Sequence, residues 1–175
     1  LNKIVGLNLD DYVAVMSLMQ KPYYEKVEYE VPDNWWHNKD YYNVPLDVFM
    51  SAIKSTIRKG FTLAIFGDVS EAGIESHAKV AMIPSFDVPS EYIDESARQF
   101  RFSNGTTGDD HGIHMVGYLN KDGKDWYLIK DSGSGSFNVG DKGYYFYQED
   151  YVKLKMLGFM AHKDAIADLL SKFKK

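Results

Sequence analysis

The sequence predicts an α+β domain. Three observations predict it. Leu46, Phe49, Met50, Ile53 and Ile57 fall on one helical stripe, four strand-like segments lie between His111 and His162, and Asn120-Lys121-Asp122-Gly123 reads as a hairpin turn between the first two of those segments. A helical pattern early and an antiparallel run late is the α+β arrangement. A length of 175 residues suits a single domain, 1–175.

Element by element, Asp10 to Lys21 is apolar and ends at Pro22, compatible with a short helix or a strand. Lys26 to Val31 alternates Val27, Tyr29 and Val31 against Lys26, Glu28 and Glu30, the period-2 pattern of a half-buried strand. Asp33 to Asn43 is polar and aromatic with turn residues, hence a loop. Pro45 opens the helix and Gly60 ends it, since glycine tolerates left-handed geometry. Phe61 to Phe66 is an apolar run, read as a buried strand. Ser90 is positioned to cap a helix through about Phe100. His111–Leu119, Asp125–Lys130, Gly143–Tyr147 and Leu157–His162 read as strands. Lys163 to Lys175 closes the chain as a short amphipathic helix carrying Ile166, Leu169, Leu170 and Phe173.

Composition narrows the function. Twenty Lys+Arg against twenty-five Asp+Glu leave a formal charge of −5, which argues against a nucleic-acid partner. No apolar run approaches the ~18–20 residues that span a bilayer, and Leu1 does not open a signal-peptide pattern, so neither a membrane partner nor a targeting segment is expected. Cysteine is absent, which excludes disulfides, Cys-ligated zinc and any thiol nucleophile within the chain, while leaving the compartment open.

Histidine titrates nearest neutrality and is the first place to look for chemistry. His111 and His114 form an H-x-x-H pair, but on a strand residues three apart point to opposite faces, so no shared metal site is expected. His37, His77 and His162 have no partner pattern. The stretch from Asp131 to Lys142 mimics a calcium or phosphate loop. It places glycine where an EF-hand needs ligands, ends in Lys142 where a bidentate Glu belongs, and lacks the Gly-Lys-Ser/Thr of a phosphate loop. It reads as a flexible, solvated connection. No cofactor is called for.

The informative constellation is Asp109-Asp110-His111-Gly112-Ile113-His114-Met115-Val116-Gly117-Tyr118, followed by Trp126 to Gly133 and then Lys142-Gly143-Tyr144. It puts a histidine at the start of one strand and a carboxylate at the end of the next, across a tight turn. In an antiparallel hairpin those ends lie side by side, so Asp131 could accept a ring N–H of His111 and leave the other nitrogen to act as a base.

These residues resemble the C-terminal half of the papain-like cysteine peptidases. The resemblance lies in Asp110-His111-Gly112, Gly117-Tyr118, Ile129-Lys130-Asp131-Ser132-Gly133 and Gly143-Tyr144. Asp11-Tyr12-Val13, Asn43-Val44-Pro45-Leu46-Asp47, Ile65-Phe66-Gly67-Asp68-Val69 and Thr106-Thr107-Gly108 are similar, in the same order, to the bleomycin hydrolase and aminopeptidase C branch. The resemblance runs from about Leu9 to Ile166. It implies the C-terminal part of a papain-like fold, with an antiparallel, barrel-like sheet and flanking helices.

The resemblance also implies a cysteine-type aminopeptidase acting on a peptide substrate. His111 takes the catalytic histidine position and Asp131 the position of the orienting Asn. Asp110 and Gly112 stand beside the substrate, and the thiol belongs to an N-terminal Cys-bearing segment of the same protein. It further implies a ring-like homo-oligomer and a C-terminal arm, Ala165 to Lys175 here; the branch includes cytosolic enzymes and exported bacterial relatives. Three departures stand out. There is no cysteine, Asp131 replaces Asn, and Gly133 stands where the family has a Trp that shields the His–Asn contact from water. The chain is therefore the downstream part of a divergent peptidase, or a catalytically inactive, peptide- or protein-binding homologue.

Overall fold

The computed structural model describes residues 2–70, 72–138 and 140–173. The stripe begun at Leu46 does form a helix, with Leu46, Phe49, Ile53 and Ile57 buried and Gly60 turning the chain at φ +84°. In chain order the elements are α1 (Asn2–Val5), β1 (Tyr12–Met16), β2 (Glu25–Val27), β3 (Tyr41–Asn43), α2 (Leu46–Arg58), β4 (Leu63–Gly67), β5 (Ile74–Glu75) and β6 (Val80–Ala81). There follow α3 (Glu95–Ser103), β7 (His111–Lys121), β8 (Lys124–Lys130), β9 (Tyr144–Gln148), α4 (Glu149–Lys155), β10 (Met156–His162) and α5 (Ala167–Leu170). Among the described residues no helix is long and apolar enough to cross a membrane.

The strands form one ten-stranded sheet in the order β2-β3-β1-β10-β4-β7-β8-β9-β6-β5. Pairing is antiparallel except for β1 with β3 and β6 with β9. The first strand lies beside the last, Val15 opposite Phe159, so the two ends of the chain share the middle of the sheet. The strand order is open rather than closed as in a barrel. Its edges, β2 and β5, are three and two residues long and offer little backbone for a closing partner.

The sheet is buried on one face and only partly on the other. Against one face α2 lays Phe49, Ile53 and Ile57 over Leu63, Ile65, Met115, Ile129 and Phe159. On the other, Met16, Leu18, Val27, Tyr29 and Leu157 cluster with Phe66. The run Phe61 to Phe66 therefore alternates rather than being buried throughout: Leu63 and Ile65 face α2, while Ala64 is exposed.

Several expected boundaries shift. Tyr41–Asn43, expected as loop, is a strand paired in parallel with β1. The α3 cap is Asp94, whose carboxylate accepts from the Ala97 N–H, whereas Ser90 opens a separate 3-10 turn. The expected Lys163–Lys175 helix is a 3-10 turn followed by the single turn of α5; Lys174 and Lys175 lie outside the described residues. The arm is docked on the body. Ile166 and Leu169 are buried, Lys59 Nζ donates to the Ala165 carbonyl at 3.2 Å, and the Phe173 ring meets Tyr42 edge-on at 4.7 Å.

Candidate active site

His111 opens β7 opposite Gly67 of β4. The turn before it is pinned from three sides. The Asp110 N–H donates to the Gly67 carbonyl at 3.1 Å, and the Asp110 carboxylate accepts from the Val69 N–H at 2.9 Å. Buried Asp68 accepts from the Gly108 N–H at 3.2 Å and from Ser70 through both N–H and hydroxyl at 3.0 Å. Lys155, at the end of α4, donates to the Thr107 hydroxyl at 2.9 Å. Gly67 has no room for a side chain, because a Cβ there would sit 2.4 Å from the Lys155 carbonyl oxygen. The chain reaches His111 in a fixed direction.

Asp131 follows directly on β8, whose register sets Lys130 opposite His114. This brings the two chosen side chains together: His111 Nε2 lies 2.7 Å from Asp131 Oδ1. The pair is part-buried, with the His111 side chain 28% and the Asp131 side chain 15% exposed. An ionised carboxylate only accepts, so Nε2 carries the proton and Nδ1 keeps its lone pair. Among the described residues Nδ1 has no hydrogen-bond partner.

The segment after Asp131 is not the flexible connection its glycines and serines suggest. Asp131 Oδ1 also accepts from the Gly133 N–H at 2.8 Å, and the Asp131 N–H donates to the Gly143 carbonyl at 2.8 Å. Ser136 is buried, its hydroxyl donating to the Gly133 carbonyl at 2.6 Å and its carbonyl accepting from Lys79 Nζ at 2.6 Å. These bonds wind Ser134–Phe137 into a 3-10 turn that orients the carboxylate. A Cβ on Gly133 would come within 3.3 Å of both Asp131 carboxylate oxygens. In this turn no side chain from position 133 covers the pair.

The two residues named as substrate-adjacent differ. Asp110 spends its Oδ1 on the Val69 N–H and so buttresses the turn. Gly112 is exposed, with no atom within 4 Å of where a Cβ would stand. It lines a cleft of about 470 Å³ together with Ala64, Ile113, His114, Lys130, Asp131, Ser132 and Phe137. His111 is not part of that lining. Alternation along β7 sets its ring on the side of Ile113 and Met115, while His114 faces the cleft.

Sequence reasoning gave no role to Asp109. Its carboxyl is pushed up to about 6, first by burial and further by the neighbouring charges of Asp33 and Asp110, with the Tyr29 hydroxyl pulling the other way. That hydroxyl is itself buried, and its approach to Asp109 falls outside ordinary hydrogen-bond limits. The doublet Asp109-Asp110 ahead of a histidine was a visible signal. The burial was not, because Tyr29 comes from far up the chain.

No family model matches the chain, and no curated protein matches it. Among solved structures, PepW from Lactobacillus rhamnosis matches with a TM-score of 0.69 at 18% identity, over 99% of this chain and 42% of PepW. The SERA5 proenzyme from Plasmodium falciparum matches with a TM-score of 0.33 at 14% identity, over 89% of this chain and 37% of that one, too weakly to carry any argument. The chain thus spans less than half the length of PepW, and what it shares with that protein is its fold.

Proposed function

We propose that this chain is the histidine- and carboxylate-bearing part of a cysteine-type peptidase, an aminopeptidase of the bleomycin hydrolase kind, acting on peptide bonds. The observation that carries the reading is the 2.7 Å contact between His111 Nε2 and Asp131 Oδ1, which leaves Nδ1 free. The likeness of the fold to PepW, a bleomycin hydrolase or aminopeptidase C-like peptidase, supports it.

The nucleophile comes from a Cys-bearing N-terminal segment of the same protein. His111 Nδ1 takes the thiol proton, and the resulting thiolate attacks the peptide carbonyl carbon. As the C–N bond breaks, Nδ1–H gives its proton to the leaving amine, and an acyl thioester forms. Nδ1 then takes a proton from water, whose oxygen displaces the sulfur, releasing the acid and restoring the thiol–imidazole pair. Asp131 holds the ring in the Nε2–H tautomer throughout. Assembly of the complete protein into a homo-oligomer belongs to the same proposal.

A second reading is favoured by Gly133, which leaves the pair without a covering side chain: a module that binds peptides and does not cleave them. Hydrolysis of aminoacyl amides by the complete protein separates the two. We expect thiol-dependent turnover, abolished by iodoacetamide, lowered on the order of 10³-fold by His111→Ala and about 10²-fold by Asp131→Ala. Asp131→Asn should retain most of it, because an amide oxygen can accept from both the ring and the Gly133 N–H. Peptide binding with no hydrolysis would favour the second reading, and turnover indifferent to alkylation or to His111→Ala would overturn the first.

A further inference from the structure

The cleft beside Asp131 carries a charge arrangement that the hydrolytic chemistry does not use. Lys130 and His114 face each other across β8 and β7, both are exposed, and both line the cleft. Among the described residues neither has an ion-pair or hydrogen-bond partner. The Ser132 hydroxyl, exposed on the same wall, is likewise uncommitted among those residues. The acidic group at the cleft is Asp131, and its Oδ1 already serves His111 and the Gly133 N–H.

Gly112 adds no side chain to the floor, and the Phe137 ring, 46% exposed, forms an apolar wall. An ammonium, an imidazole and a hydroxyl therefore converge on about 470 Å³ of open space that touches one member of the catalytic pair. One cation and two hydrogen-bonding side chains against a single carboxylate already engaged through Oδ1, next to an aromatic wall, suit an anionic group on a short apolar stem.

We infer that this cleft is a binding subsite that takes a peptide carboxylate, from an acidic side chain or from a peptide C-terminus. As a subsite, it rests on the peptidase reading. As a binding site, it can be tested in the complete protein by binding alone, without any catalysis. Lys130 Nζ supplies the charge, His114 and Ser132 supply hydrogen bonds, and Phe137 packs on the stem.

The test is a titration of the complete ¹⁵N-labelled protein with four N-acetylated tripeptides of equal size. Ac-Ala-Glu-Ala-NH₂ offers a side-chain carboxylate, Ac-Ala-Gln-Ala-OH a terminal one, Ac-Ala-Gln-Ala-NH₂ neither, and Ac-Ala-Lys-Ala-NH₂ the opposite charge. The carboxylate peptides should bind about fivefold tighter than the neutral one. They should move the amides of Gly112, His114, Lys130 and Ser132, and the tighter of the two arms identifies the source of the carboxylate.

Lys130→Gln should erase the preference. Gly112→Val, whose side chain enters free space in the cleft, should weaken all four peptides with the fold intact in the spectrum. Equal affinity for all four, or shifts centred elsewhere, would overturn the inference. Carboxylate-dependent binding without thiol-dependent hydrolysis by the complete protein would remove the peptidase and leave the site. Hydrolysis with no preference for acidic peptides would do the reverse.

Discussion

A carboxylate at position 131 does two things at once: its Oδ1 fixes the His111 tautomer and closes the turn through the Gly133 N–H. Both partners were legible in the sequence because a hairpin brings the start of one strand to the end of the next. Asp109 was not legible. Its carboxyl, at about 6 in the fold, binds a proton more tightly than the ordinary carboxylate of the unfolded chain, near 4. Between those values the folded state holds more protons than the unfolded one, so stability falls as pH rises from about 4 to 6 and stays low at neutrality. Asp109→Asn removes that charge. We expect a gain of about 1–2 kcal/mol at pH 7.5, after allowing for solvent screening, and little gain at pH 4. Thermal unfolding of both proteins at the two pH values checks this, and an equal effect at both would refute the account of Asp109.

At the scale of elements, local periodicity misled at Lys26–Val31, a strand only over Glu25–Val27, and after Lys163, where a 3-10 turn and one helical turn form; elsewhere periodicity and turn chemistry were readable. The α2 stripe is one case. The hairpin turn, with Asp122 at φ +54° and Gly123 at φ +79°, is another. What escaped was long-range. Tyr41–Asn43 is a strand because β1 lies beside it, and Ser90 fails as the α3 cap because Asp94 stands closer to the first helical turn. Helix α3 also carries Arg98, 1% exposed, which no pattern marks as buried. Its Nε donates to the Ser17 carbonyl at 2.9 Å and its Nη1 to the Lys153 carbonyl at 2.8 Å, tying β1 to α4. Burial lowers the guanidinium to about 10, so it remains charged at neutrality. Arg98→Met strands one buried and one half-buried carbonyl and should cost about 2–4 kcal/mol, read as a lower urea midpoint at unchanged m. Arg98→Lys should not rescue it, since one ammonium cannot reproduce the planar fork that spans both acceptors. A shift below about 0.5 kcal/mol would show that water satisfies those carbonyls instead.

Over the whole molecule, the pairing of β1 with β10 folds both ends of the chain into one sheet. The α+β class was visible in the order of patterns, whereas the open, mixed sheet was not, because the parallel pairs β1/β3 and β6/β9 join strands distant in sequence. At the start of β7 and the end of β8 that sheet presents an imidazole nitrogen with no partner among the described residues, in a chain without cysteine. We propose that this nitrogen meets a sulfur from the rest of the protein. The alkylation rate of that cysteine in the complete protein, followed against pH, tests this directly. An imidazolium beside it stabilises the thiolate, so iodoacetamide should react rapidly down to about pH 5, and His111→Ala should move the onset toward the ordinary thiol range near 8.5. Superimposable profiles for the two proteins would contradict the account.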